Sequence, residues 1–103
     1  METNAQKESE KSNIKITLNN LGTVNKNEVT ILNKKGSLKL FFSYETIVSF
    51  VVYAGNEYNI KTLKNYWGPT TGKLLNECEP DKKKRVTKEE FNIELANAFN
   101  LIF

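Results

Sequence analysis

The run TIVSFVVYA (Thr46–Ala54) constrains this chain more than any other stretch. It is dense in β-branched and aromatic side chains, which fit a pleated surface and lose rotamer freedom in a helix. Its near-continuous apolar character predicts an inner strand covered, at least in part, on both faces. Gly55-Asn56 follows, a two-residue hairpin signal, and EYNIKTL (Glu57–Leu63) is the expected antiparallel partner.

Other strands come before it. IKITL (Ile14–Leu18) alternates apolar and polar, the pattern of a half-buried strand, and NNLGTVNKN is an Asn- and Gly-rich loop. EVTIL (Glu28–Leu32) and SLKLFFS (Ser37–Ser43) flank NKKG, which suggests a hairpin with Gly36 in the left-handed conformation of a bulge. Val29 and Ile31 then share a face with Leu38 and Leu40. After the strands comes RVTKEEFNIELANAFNLIF. Thr87 with Glu90 forms a capping box, and Val86 and Phe91 are spaced as a hydrophobic staple. Phe91, Leu95, Ala98, Phe99 and Ile102 recur as a single helical stripe. The fold expected is α+β: an antiparallel sheet of four or five strands packed by a C-terminal amphipathic helix, with a short helix before it. One domain spans 14–103, and residues 1–13, without apolar periodicity, read as a disordered polar tail.

Composition narrows the chemistry. At 103 residues the chain has room for one core. A single cysteine, Cys78, excludes an internal disulfide, and the absence of histidine removes Ser-His-Asp, Cys-His and imidazole acid–base catalysis. Carboxylates fall in tail, turn and helix-surface contexts, so no enzyme, metal site or cofactor is expected. Net charge is +3. That is mildly basic and compatible with nucleic acid. With no long apolar run and a polar N-terminus, the expectation is a soluble, intracellular protein with no membrane partner.

The stretch NYWGPTTGKLLNECEPDKKKR (Asn65–Arg85) holds the candidate site. GPTTGKL is not a nucleotide-binding P-loop. Gly68 and Gly72 are separated by three residues rather than four, and Leu74 stands where a magnesium-binding hydroxyl is needed. A turn at Gly68-Pro69 followed by a short helix, capped by Thr70 or Thr71 and ended by Pro80, accounts for it. Leu74, Leu75 and Cys78 then face the core, with Cys78 a small buried hydrophobe. Tyr66 and Trp67, near Lys61, Lys64 and Lys73, form either a base-stacking platform or core or hinge filler. Lys82, Lys83, Lys84 and Arg85 are the densest positive patch, either a phosphate grip or a solvated loop. Tyr53 and Tyr58 read as a cross-strand aromatic pair, with Tyr44 another candidate for a binding face.

Two fragments, FSYETIVSF (Phe42–Phe50) and WGPTTGKLLN (Trp67–Asn76), resemble a family of small uncharacterised proteins of phages and archaeal viruses. Its skeleton is Ser-Tyr-x-Thr-x-Val-Ala-Phe, then Trp-x-x-Thr-Thr-x-Lys-His-Leu-Asn. Ser43, Tyr44, Thr46, Val48, Phe50, Trp67, Thr70, Thr71, Lys73, Leu75 and Asn76 match it, whereas Ser49 replaces the usual alanine and Leu74 the usual histidine. The resemblance spans roughly residues 38–103. It implies a virus-encoded accessory protein acting in the host cytoplasm, of the kind that inhibits host defence (anti-CRISPR type), and a shared hydrogen-bond network through Ser43, Tyr44, Thr46, Thr70 and Thr71. The leading expectation is a non-enzymatic protein engaging nucleic acid or a host ribonucleoprotein through Lys82, Lys83, Lys84, Arg85, Lys73, Tyr66 and Trp67. The alternative is a protein–protein module, homodimeric and without nucleic-acid binding.

Overall fold

A computed structural model describes residues 14–23 and 25–103. The expected tail, residues 1–13, lies outside them. Five strands form one antiparallel sheet in the order β1-β2-β3-β4-β5: β1 Lys15–Asn20, β2 Lys26–Asn33, β3 Gly36–Ser43, β4 Thr46–Ala54 and β5 Glu57–Thr62. Helix α1 (Pro69–Cys78), a 3₁₀ turn (Lys82–Lys84) and helix α2 (Lys88–Ile102) follow. The α+β class is as predicted, and the five strands fall within the four or five expected. No helix among the described residues is long and apolar enough to cross a membrane.

Register explains the layering. Leu38 pairs with Val52 and Leu40 with Phe50, while Ile31 and Val29 oppose the same two β3 leucines. Directly paired residues point to one side of a sheet, so these six make the apolar face predicted for them. Helix α2 lies across it and contributes Phe91, Ala98 and Ile102, all buried, with Leu95 and Phe99 half-buried. The Phe91 ring stands 5.6 Å from Phe50, tilted by 56°. Thr87 Oγ1 accepts the Glu90 N–H at 3.3 Å, the forward bond of the capping box, and Val86 is buried in the cluster that holds Phe91. The helix is fixed at its far end as well, where Asn33 Nδ2 donates to the Ile102 carbonyl at 2.7 Å.

The loop at NKKG differs from its prediction. Lys34-Lys35 make the turn, and Gly36 is the first residue of β3, paired with Asn33 and Ala54. With a φ of 155° it is extended in the mirror sense, not left-handed helical, and any Cβ there would sit 1.9 Å from the Tyr53 carbonyl oxygen. Close backbone approach, not a bulge, demands the glycine.

The bulge lies elsewhere. Phe41 pairs with Ser49 and Phe42 with Ile47, which leaves Val48 as the extra residue of β4. Val48 is fully buried against Leu74 and Leu75, forming a second apolar cluster beneath α1 with Leu21 and Cys78 at its margin. This is the core contact predicted for the short helix. Ser49, on the neighbouring position, exchanges a 2.7 Å hydrogen bond with Thr62 and donates to the Lys61 carbonyl.

Cys78 is half-buried, and burial pushes its thiol up from the ordinary value to about 11. At pH 8 its thiolate fraction is then roughly a hundredfold below that of an ordinary cysteine. Alkylation by a maleimide should be slower by about that factor in the native protein than in urea. Equal rates would place the thiol in solvent.

Candidate functional site

Three segments converge beside the end of β5. Leaving the sheet, Leu63 and Val86 form a parallel bridge, with Lys64 N–H on the Val86 carbonyl and Val86 N–H on the Thr62 carbonyl. This bridge draws residues 82–87 back alongside α1. Between them opens a cleft of about 550 Å³, lined by Lys64, Asn65, Pro69, Gly72, Lys73, Asn76, Lys82 and Arg85. Four of these eight side chains are cationic, two are amides, and none is a carboxylate.

Arg85 lines the cleft while only 6% exposed. Its Nε donates to the Glu79 carbonyl at 3.0 Å and its Nη2 to Asn76 Oδ1 at 2.6 Å. Both acceptors are neutral. Among the described residues the ion pair is Lys39 with Glu28, distant in sequence from this cleft, so the guanidinium charge is held by dipoles rather than by a carboxylate. A charge kept that way projects into the cleft, where low-dielectric walls focus it. The three lysines are exposed and add to the same field. Gly72 leaves room for the Asn65 amide, since a Cβ there would meet Asn65 Nδ2 at 3.0 Å.

The cation run predicted as one patch is therefore divided. Lys82 and Arg85 line the cleft, one exposed and one buried, while Lys83 and Lys84 are exposed on the 3₁₀ turn outside that lining. Asp81 caps this turn by accepting the Lys83 N–H at 3.0 Å. Lys73 joins from α1 as expected, whereas Lys61 is paired with Phe50 and lies on the α2 side of the sheet. Asn65 and Asn76 also line the cleft, and neither was among the expected site residues. Only the Trp-x-x-Thr-Thr-x-Lys-x-Leu-Asn pattern marked Asn76 at all.

A second groove, of about 410 Å³, adjoins the first through Pro69. Ser43, Tyr44, Thr46, Trp67, Gly68, Thr70 and Thr71 line it, so the motif hydroxyls do converge on one place. They divide into two kinds. Ser43 and Thr71 are buried and share a 2.7 Å hydrogen bond that ties β3 to α1, while Tyr44, Thr46 and Thr70 are exposed. Neither threonine caps α1: Gly68 is the N-cap, Pro69 fills the first turn, and no side chain caps the end. The cap expectation fails because the helix starts at Pro69, one residue before Thr70, which puts both threonines inside the first turn rather than at its cap.

Tyr44 has a φ of 56°, left-handed for a bulky side chain at the β3–β4 turn, and the residue is 58% exposed. Such a conformation costs on the order of 1 kcal/mol or more. Trp67 meets Tyr66 edge-on at 5.9 Å, and Lys88 Nζ lies 4.6 Å from the Tyr66 ring centroid and 5.8 Å from that of Trp67. Tyr66 also accepts the Lys88 N–H through its hydroxyl, at 3.4 Å, so it is committed to the start of α2. Trp67, by contrast, faces the groove.

A family model described as a family of unknown function, DUF8033, matches residues 4–93. Comparison with curated proteins and with solved structures finds no match.

Proposed function

We propose that this chain, which belongs to the DUF8033 family, is a non-enzymatic module that grips a single-stranded nucleic acid by its phosphates in the cationic cleft. The observation that carries this reading is the lining itself: Lys64, Lys73, Lys82 and Arg85 around one opening with no carboxylate among them. Such a set of donors suits phosphate oxygens, and the backbone charge of a nucleic acid is where non-specific affinity originates. The adjoining groove supports a single strand over a duplex. Trp67 and Tyr44 offer π-faces beside the phosphate track, with the Thr46 and Thr70 hydroxyls at hand for polar contacts. The resemblance to phage and archaeal-virus proteins adds a setting: an accessory protein in the host cytoplasm, acting against a nucleic-acid-guided defence of the CRISPR type.

Fluorescence anisotropy with short single-stranded RNA, single-stranded DNA and duplex DNA over a salt series tests this. Three lysines on single-strand phosphates give a log–log salt slope of about −2. The triple variant Lys64→Gln/Lys73→Gln/Lys82→Gln is expected to lose that binding while keeping its far-UV dichroism, because all three side chains are exposed. Absence of binding at low salt, or full binding by the triple variant, would overturn the reading.

A further inference from the structure

The β1 edge of the sheet carries an arrangement that neither cleft explains. Ile16 pairs with Ile31 and Leu18 with Val29, so both β1 residues lie on the face that β2 shares with the core. Helix α2 packs on β3, β4 and β5. It leaves Ile16 and Leu18 65% and 70% exposed, with Ile14 46% exposed just before them. Apolar side chains placed in core register yet open to water are a sheet face without its cover. Residues 2–13 have nothing larger than alanine among their apolar side chains.

On the side away from β2, the backbone of the same residues has no strand partner among the described residues. The Leu21 N–H bonds to the Lys26 carbonyl, which extends the β1–β2 register by one pair. Alternation then turns the amides of Lys15, Thr17 and Asn19 toward β2 and those of Ile14, Ile16 and Leu18 outward. The outer edge of β5 differs, since Leu63 beyond it is bridged by Val86.

We propose that β1 pairs antiparallel with β1 of a second copy of this chain, about a two-fold axis normal to the sheet and passing between the two Ile16 residues. That register sets Ile16 against Ile16 and Ile14 against Leu18 of the second copy, all on one face, and pairs the outward amides and carbonyls of these residues. It also satisfies charge. Lys15, the charged residue of β1, falls opposite Thr17 of the second copy instead of another lysine. A two-fold contact must be self-complementary, and alternating Ile-x-Ile-x-Leu with one off-centre cation meets that requirement. The two sheets then run on as one of ten strands, with a cationic cleft at each far end. Edge strands are otherwise shielded by charge, proline or a bulge, and β1 places none of these on its apolar face.

Sedimentation equilibrium of the full chain decides the matter. The wild type is expected at twice its 11.8 kDa chain mass. Ile16→Lys/Leu18→Lys is expected at the single-chain mass. Since that variant can be lost to misfolding, Ile16→Thr/Leu18→Thr keeps β-prone side chains and is expected to weaken pairing at least tenfold with unchanged dichroism. Thr17→Glu, facing Lys15 of the second copy twice by symmetry, is expected to tighten it. The association is expected to persist at salt concentrations that abolish oligonucleotide binding, which separates it from the cleft. A wild type that stays single-chain at high concentration overturns the proposal, even where another protein's strand occupies β1. So does an Ile16→Lys/Leu18→Lys variant that remains paired.

Discussion

Arg85→Ala is expected to cost about 3 kcal/mol, because it removes two hydrogen bonds made by a buried charged donor. The guanidinium joins Asn76 on α1 to the Glu79 carbonyl just past its end, and the same residue precedes the bridge between Val86 and Leu63. For a chain of this length each kcal/mol lowers the thermal midpoint by about 4–8 °C, so the variant should melt at least 12 °C or so below wild type. Arg85→Lys should recover only part of this, since a point-like ammonium cannot hold two acceptors in the fork geometry. Lys83→Ala, exposed on the 3₁₀ turn, is expected to stay within about 0.5 kcal/mol. Calorimetry of the three variants gives the comparison, and an unchanged midpoint for Arg85→Ala would mean that its two hydrogen bonds do not hold α1 to the bridge. Removing the whole cation run at once therefore confounds fold with binding, and the three exposed lysines are the better probe.

Phe91→Ala is the substitution with the largest expected effect, about 3–5 kcal/mol for a buried phenylalanine. Phe91 is 2% exposed, packs on Phe50, and is the first buried residue of α2. Losing it leaves a cavity between helix and sheet at the point where the helix docks. Small domains have about 5–15 kcal/mol in total, so the variant should be near the limit of folding. Urea titration should show the midpoint displaced accordingly. Ile93→Ala, at 64% exposure on the outer side of the same helix, is expected to remain within about 0.5 kcal/mol. A small effect at Phe91 would mean that α2 is not held by this stripe.

What the sequence discloses divides along physical lines. Thr46–Ala54 and the α2 stripe could be read because periodicity and capping are local, and both elements appear with those residues. The bulge at Val48 could not be read, because an extra residue is defined only against its partner strand. Burial of Arg85 escaped notice for a related reason. Four consecutive cations look alike in one dimension, and only the turn capped by Asp81 gives them different directions. The motif hydroxyls were marked as a group, yet their division into a buried tie and an exposed set depends on where α1 crosses the end of β3. The cleft itself joins residues 64–65, 69–76 and 82–85, which share no pattern until the chain bends twice.

The order of the elements also sets an order of assembly. All five strands precede both helices, and each strand pairs with its immediate neighbour in the chain, so the sheet's contacts are short-range and close quickly. Helix α2, which covers the sheet's main apolar face, leaves a ribosome synthesising from the N-terminus only after all five strands. During that interval Leu38, Leu40, Phe50 and Val52 stand uncovered on a sheet whose β1 edge is open. The nascent chain is thus adhesive over the interval before the fifteen-residue helix α2 emerges and packs down on that face.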